Sequence, residues 1–134
     1  MGFAPIPRDV DEVAHQIVDA AFKVHSSLGP GLLESAYEAC LAFELAERGH
    51  KIDQQKTLPI FYKGNQLDAG YRLDLLVDGK VIVEIKSVDS FAPIHDAQLL
   101  SYLKLSGCKV GLLINFNVKM LKHGIHRIVN GSFN

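Results

Sequence analysis

The alternation of apolar and polar positions divides the chain into periods of three to four and periods of two. Val10, Val13, Ile17, Ala20, Val24 and Leu28 recur at helical spacing, which predicts an amphipathic helix over residues 8–28. Asp9, Asp11 and Glu12 suit its positive N-terminal end. Gly29-Pro30-Gly31 breaks this helix, and a second runs from about Leu32 to Arg48 before Gly49. Leu33, Tyr37 and Leu41 form its apolar row, and Glu38, Glu44 and Glu47 read as solvent-facing. The period then falls to two. Lys56 to Lys63 reads as a strand, with Pro59 marking it as an edge. Gly64-Asn65 turns into a second strand, Gln66 to Val77, and Asp78-Gly79 turns into a third, Lys80 to Val88. Ile94 to Ser106 follows as a helix on the spacing of Ala97, Leu100 and Leu103, with Gly107 as its stop. Val110 to Phe116 is an apolar run expected of a strand covered on both faces, and Ile125 to Val129 is a short last strand. The predicted order is α-α-β-β-β-α-β-β. It comprises a three-strand antiparallel meander and a right-handed parallel crossover.

Charges interrupt the apolar pattern in the hairpin Tyr71–Lys86, at Asp74, Glu84 and Lys86. A charge in a buried strand costs several kcal/mol unless it is paired or binds an ion. A two-residue loop would put Asp74 opposite Val83 and send Asp74 and Glu84 to opposite faces. A three-residue loop, Val77-Asp78-Gly79 with Gly79 left-handed, pairs Leu76 with Lys80, Asp74 with Ile82 and Arg72 with Glu84. Every charge then shares one side with the even-numbered positions. The odd positions Tyr71, Leu73, Leu75, Val77, Val81, Val83 and Ile85 form a hydrophobic side. This parity selects the three-residue loop and makes Asp74 and Glu84 diagonal neighbours at about 7–8 Å.

Length changes the picture little: 134 residues, 48% of them hydrophobic, predict one domain spanning 1–134. No apolar run reaches membrane-spanning length, and the N-terminus carries no signal-peptide pattern. Cys40, read as packed in a helix, and Cys108 suggest no disulfide framework, which fits a reducing cytoplasmic compartment. The net charge of −1 argues against strong non-specific nucleic-acid binding, but it is unevenly spread. Residues 1–53 hold nine acids and four bases, and residues 54–134 hold six acids and ten bases. The hairpin charges lie in the basic part. Solvated helix faces would produce the same asymmetry.

Asp74 followed by Glu84-Ile85-Lys86 resembles the signature of the PD-(D/E)XK nucleases. Gly31-Leu32-Leu33-Glu34-Ser35-Ala36-Tyr37 is similar to the motif of the GxxExxY family, a small branch of that superfamily. Gln98-Leu99-Leu100-Ser101-Tyr102 resembles its QxxxY element. The four elements in this order are far more specific than the Glu-x-Lys triplet alone, and together they span roughly residues 10–129. Leu73 stands where the superfamily name has proline.

The resemblance implies a restriction-endonuclease-like α/β fold, a three-layer α/β/α arrangement around a mixed five-stranded sheet with strands in chain order. It implies metal-dependent hydrolysis of phosphodiester bonds, with nucleic acid as partner and DNA ahead of RNA. Two carboxylates about 5 Å apart repel by roughly 3 kcal/mol at an effective dielectric of 20, which a hard cation such as Mg²⁺ or Mn²⁺ would relieve. Asp74 and Glu84 would be ligands, the Ile85 carbonyl a third, and Glu34 a fourth, directly or through water. Lys86 would assist the attacking water.

Gln98 and Tyr102, at i and i+4 on one helix face, would hold substrate phosphate or Lys86, unless they form an ordinary half-buried surface. Arg72 is a phosphate contact or a salt-bridge partner of Glu84. His25 caps the last carbonyls of its helix or touches substrate beside Glu34. Glu34 without the resemblance is a first-turn acid favoured by the helix dipole. The alternative function is a non-catalytic nucleic-acid- or protein-binding module on the same scaffold. So small a nuclease would act as a homodimer or with a protein partner.

Overall fold

The computed structural model describes residues 5–131. α1 spans Arg8–Leu28, α2 Glu34–Glu47 and α3 Pro93–Ser106. The strands are β1 Ile52–Thr57, β2 Ile60–Tyr62, β3 Asn65–Leu67, β4 Arg72–Val77, β5 Val81–Lys86, β6 Val110–Asn115 and β7 Ile125–Val129, with a short 3₁₀ turn at Leu121–Gly124 before β7. Five strands form one mixed sheet in the order β1-β4-β5-β6-β7, and β2 and β3 form a separate hairpin. Among the described residues only the β5–β6 pair is parallel, with α3 as the crossover.

The expected meander is corrected at its start. The first sheet strand is Ile52–Thr57, not Lys56–Lys63. The chain leaves the sheet at Leu58-Pro59, turns at Gly64 as expected, and re-enters as β4 at Arg72. Thr57 and Arg72 are register partners, and the Leu58 N–H bonds the Tyr71 carbonyl at 2.9 Å, so the neck of this excursion is closed.

Two cores clothe the sheet. On one face, Leu75, Val77, Val81, Val83, Ile85, Leu112 and Ile114 pack against the buried stripes of α1 and α2, including Ile17, Ala21, Tyr37 and Leu41. On the other, Leu76, Ile82 and Leu113 meet Leu99, Tyr102 and Leu103 of α3. The inward face of α3 is therefore Leu99/Tyr102/Leu103; of the expected Ala97, Leu100 and Leu103, Leu103 alone is buried. A Cβ on Gly111 of β6 would come within 2.8 Å of Leu99, so glycine here lets α3 lie close to the sheet. Leu33 caps α2 and is exposed instead of joining the apolar row, and Cys40 is exposed on the same helix.

The β4–β5 register also differs from the expected one. Val77 pairs with Val81, Leu76 with Ile82 and Leu75 with Val83. Extended by one step, this sets Asp74 directly opposite Glu84, two residues from the expected pairing and with the same parity. Both Asp78 and Gly79 have positive φ (55° and 66°), and the Lys80 N–H closes the turn on the Val77 carbonyl at 2.9 Å. The loop keeps three residues but slides by one, to Asp78-Gly79-Lys80, which shifts the register by two. The alternation of β4 breaks at Asp74. Leu73 packs in the α3 core with Leu76, and the Tyr71 ring meets Tyr102, although Leu75 and Val77 face α1 and α2.

Candidate active site

The register brings Asp74 and Glu84 together at the point where the β4–β5 ladder stops. The ladder's last pair is Leu75–Val83, and the two carboxylates take over the backbone donors beyond it. The Asp74 N–H donates to Glu84 Oε2 at 2.8 Å, and the Ile85 N–H donates to Asp74 Oδ2 at 2.8 Å. Glu84 is buried, 6% exposed, opposite Leu113 of β6. Burial first, and then the charge of Asp74, raise its carboxyl to about 8, against the opposing pull of the Asp74 N–H and of Lys86. Lys86 is half-buried two residues on, at the same parity as Glu84 and on the last residue of β5.

The third acid beside the pair is Glu38, which the pattern of α2 had assigned to solvent. Burial raises its carboxyl above the ordinary carboxylate range, and the Asp74 charge adds to this effect. Gln55 Nε2 bridges the two acids, donating to Glu38 Oε1 at 2.8 Å and to Asp74 Oδ1 at 3.2 Å, while Gln54 Nε2 reaches Glu38 Oε2 at 3.1 Å. Gln55 sits within β1 at φ 49°, an unusual backbone for a residue with a side chain. Such outliers persist where surrounding contacts impose them, and here the local twist aims both glutamines at the acids. Their only sequence signal is a polar pair in an edge strand. Glu44 is not solvated either: its carboxylate pairs with Arg48 Nε at 3.0 Å.

Glu34 does not join this group. Its Oε2 accepts the Ser87 N–H at 3.1 Å, and Ser87 Oγ donates to the Leu32 carbonyl at 2.6 Å. Among the described residues no three His, Cys, Asp or Glu side chains converge within metal-binding reach. The pairing ties the exit of β5, one residue after Lys86, to the loop between α1 and α2. The same loop is held from inside by Tyr37. This fully buried tyrosine donates to the Gly29 carbonyl at 2.6 Å, accepts the Leu32 N–H at 3.1 Å and stacks on Phe116 with centroids 4.6 Å apart. Glu34 and Tyr37 thus both act on the loop that contains Gly31.

Asn115, missed in the sequence, secures the other side of the β5 exit. It is buried, its Oδ1 accepts the N–H groups of Val88 and Asn117 at 3.1 Å each, and its Nδ2 donates to the Val88 carbonyl at 2.9 Å.

The remaining expected residues divide. Gln98 Nε2 donates to the Tyr102 hydroxyl at 2.8 Å. Tyr102 lies on the side of Glu84: burial, then the Glu84 charge, push its phenol above the ordinary value. Arg72 makes no ion pair with Glu84. It is exposed, and its Nη1 reaches Thr57 Oγ1 at 3.3 Å, because the shifted register carries it past Glu84 toward the β1 edge. His25 Nε2 donates to the Val118 carbonyl at 2.7 Å beside Phe116, which commits it to tying α1 to the loop after β6.

A mixed five-stranded sheet between helix layers, with an acid pair and a lysine where its central strands part, defines a restriction-endonuclease-like domain. Compared with models of known families, the chain matches the PD-(D/E)XK nuclease superfamily over residues 11–128, and it belongs to that superfamily. No curated protein and no solved structure matches it. Among the described residues, no helix is long and apolar enough to cross a membrane.

Proposed function

We propose that this chain is a nuclease of the GxxExxY branch that hydrolyses phosphodiester bonds with a divalent cation, in a reducing cytoplasmic setting and on DNA before RNA. The observation that carries this reading is the Asp74–Glu84 clasp: two carboxylates opposed across two strands, one of them buried, with Lys86 two residues on.

The donor set fits Mg²⁺ or Mn²⁺, which prefer carboxylate and carbonyl oxygens. Asp74 and Glu84 would hold the ion. The Ile85 carbonyl leaves the strand on the same edge as its N–H and so belongs to the same gap. Glu38, held by Gln55, adds negative potential from α2. Glu34 is a positioning residue in this reading, because it acts on Lys86 through the Ser87 backbone. A bound cation supplies Lewis-acid polarisation of the phosphoryl group and lowers the pKa of water.

Lys86 orients the attacking water and offsets negative charge that grows on a non-bridging phosphate oxygen. The water releases a proton to solvent as its oxygen forms the new bond to phosphorus, the bond to the leaving sugar oxygen breaks, and that oxygen takes up a proton from solvent. Gln98 and Tyr102 line the approach from α3 and bind the substrate strand, and Arg72, exposed on β4, is available to a flanking phosphate.

The test is a cleavage assay on DNA and RNA, single-stranded and duplex, with Mg²⁺ or Mn²⁺ and beside Lys86→Ala. Cleavage by wild type and its loss in the variant is the expected result. If wild type binds neither ion at millimolar concentration, with or without nucleic acid, the catalytic reading gives way to a binding module on this scaffold.

A further inference from the structure

Beside the acid pair, on the α3 side, lies a cavity of about 600 Å³. Its walls come from three elements that the sheet does not itself require to meet. Ile60 is supplied by the β2–β3 excursion, Tyr71 by the closed neck before β4, and Gln98, Ser101, Tyr102 and Lys104 by α3. The volume falls within the range of small-molecule pockets, and the lining combines apolar walls with a few polar groups. Two features connect it to the reacting centre. Tyr102 is both a wall of the cavity and close enough to Glu84 and Asp74 for their charges to act on its phenol. Tyr71 meets Tyr102 edge-on at 5.9 Å and immediately precedes β4, three residues before Asp74. Tyr71 is also 39% exposed, which leaves ring surface open to a visitor.

From this geometry we propose that the cavity holds an unpaired nucleobase of the strand whose phosphate lies at Asp74 and Glu84, and that the substrate is therefore single-stranded or unpaired beside the cut. The inference rests on the nuclease reading above. Tyr102 joins the acid pair to this cavity, so a strand cut there that continues along α3 passes it. Bases within a duplex are stacked and paired inward, so a lateral apolar pocket with an aromatic wall can bind a base only once it has left the stack. Every base offers a π face to Tyr71, which makes the contact tolerant of sequence. Gln98 and Ser101 offer hydrogen bonds to a base edge, and Lys104 places a cation where the next phosphate of an extended strand would pass. The β2–β3 excursion supplies the outer wall.

The test compares one sequence as single strand and as blunt duplex, cut by wild type, Tyr71→Ala and Tyr71→Phe. The expected result is faster cleavage of the single strand. Tyr71→Ala should lower its kcat/KM by about five- to a hundredfold, the range for loss of one base stack, and Tyr71→Phe should restore it. Duplex cleavage should change by less than about twofold on the same scale.

Equal rates on the two substrates, or equal loss on both in Tyr71→Ala, overturn the proposal. So does a dimer-to-monomer shift in sedimentation for Tyr71→Ala without substrate-selective loss, since a second copy would then be the occupant. If wild type cuts nothing, the nuclease reading fails separately. The pocket is then judged by quenching of 2-aminopurine in a single-stranded oligonucleotide: quenching by wild type and Tyr71→Phe but not by Tyr71→Ala supports it, and no quenching by wild type overturns it.

Discussion

Asp74 and Glu84 are each held by the backbone of the other's strand: the Asp74 N–H bonds Glu84, and Asp74 in turn accepts the N–H of Ile85, both at 2.8 Å. The acids therefore replace rungs of the β4–β5 ladder. They fix the site and end the pairing at once, and each gives a backbone N–H of the parting strands an acceptor.

This clasp predicts an inverted pH dependence of stability. Glu84 titrates near 8 in the folded chain and near 4.5 when unfolded. Below about pH 4.5 both states hold the proton. Between there and about pH 8 the unfolded chain releases it and the native chain keeps it. Glu84 therefore costs stability progressively as pH rises through that window, and no more above it. Glu84→Gln keeps the acceptor for the Asp74 N–H and removes the titration. In EDTA it should be more stable than wild type at pH 9, by on the order of a few kcal/mol, with the difference shrinking toward pH 5. Melting curves that stay parallel across this range would refute the assignment.

Ligand and helper should separate. Glu84→Ala should lose Mn²⁺ binding and cleavage together. Lys86→Ala should bind Mn²⁺ at least as tightly as wild type while cleavage falls by about 10²–10⁴. Calorimetry with Mn²⁺ beside a cleavage assay reads both, and loss of Mn²⁺ binding in the lysine variant would assign Lys86 a structural part instead.

Glu38 and Glu34 should behave oppositely. Glu38→Gln removes a negative charge linked to Asp74 through Gln55, and should weaken Mn²⁺ binding by several-fold with little change in melting. Glu34→Ala removes the acceptor for the Ser87 N–H, and should cost about 0.5–1.5 kcal/mol with Mn²⁺ affinity nearly intact. The reverse pattern would restore Glu34 as a ligand.

Tyr37→Phe tests the loop between α1 and α2. It keeps the stack on Phe116 and removes both hydroxyl bonds, leaving the Gly29 carbonyl and the Leu32 N–H without that partner. Urea denaturation should show a loss of about 1–3 kcal/mol. An unchanged midpoint would mean that water replaces the hydroxyl without cost.

The parts of this structure visible in the sequence are those whose burial imposes a period. α1 matches its stripe from Arg8 to Leu28, and β6 lies within its apolar run. β1 was hidden because Ile52–Thr57 is a polar, largely exposed edge whose periodicity carries no core signal. The register of β4 on β5 was missed by two residues because such a slip leaves the faces unchanged, so hydrophobicity cannot detect it. The positive φ of Asp78 decides it instead. Glu38 was assigned to solvent because its partners, Gln54 and Gln55, reach it through tertiary structure alone.

The β2–β3 excursion leaves the sheet at Thr57 and returns at Arg72, which are register partners, and its neck is fastened by the Leu58–Tyr71 backbone bond. Residues 59–70 can therefore lengthen, shorten or be exchanged with only a slowly growing entropic cost, and the β1–β4 register is untouched. The acids and the lysine stand on the sheet, while one wall of the neighbouring cavity stands on this appendage. Descendants of such a chain can change what they grip without disturbing the groups that would do the cutting.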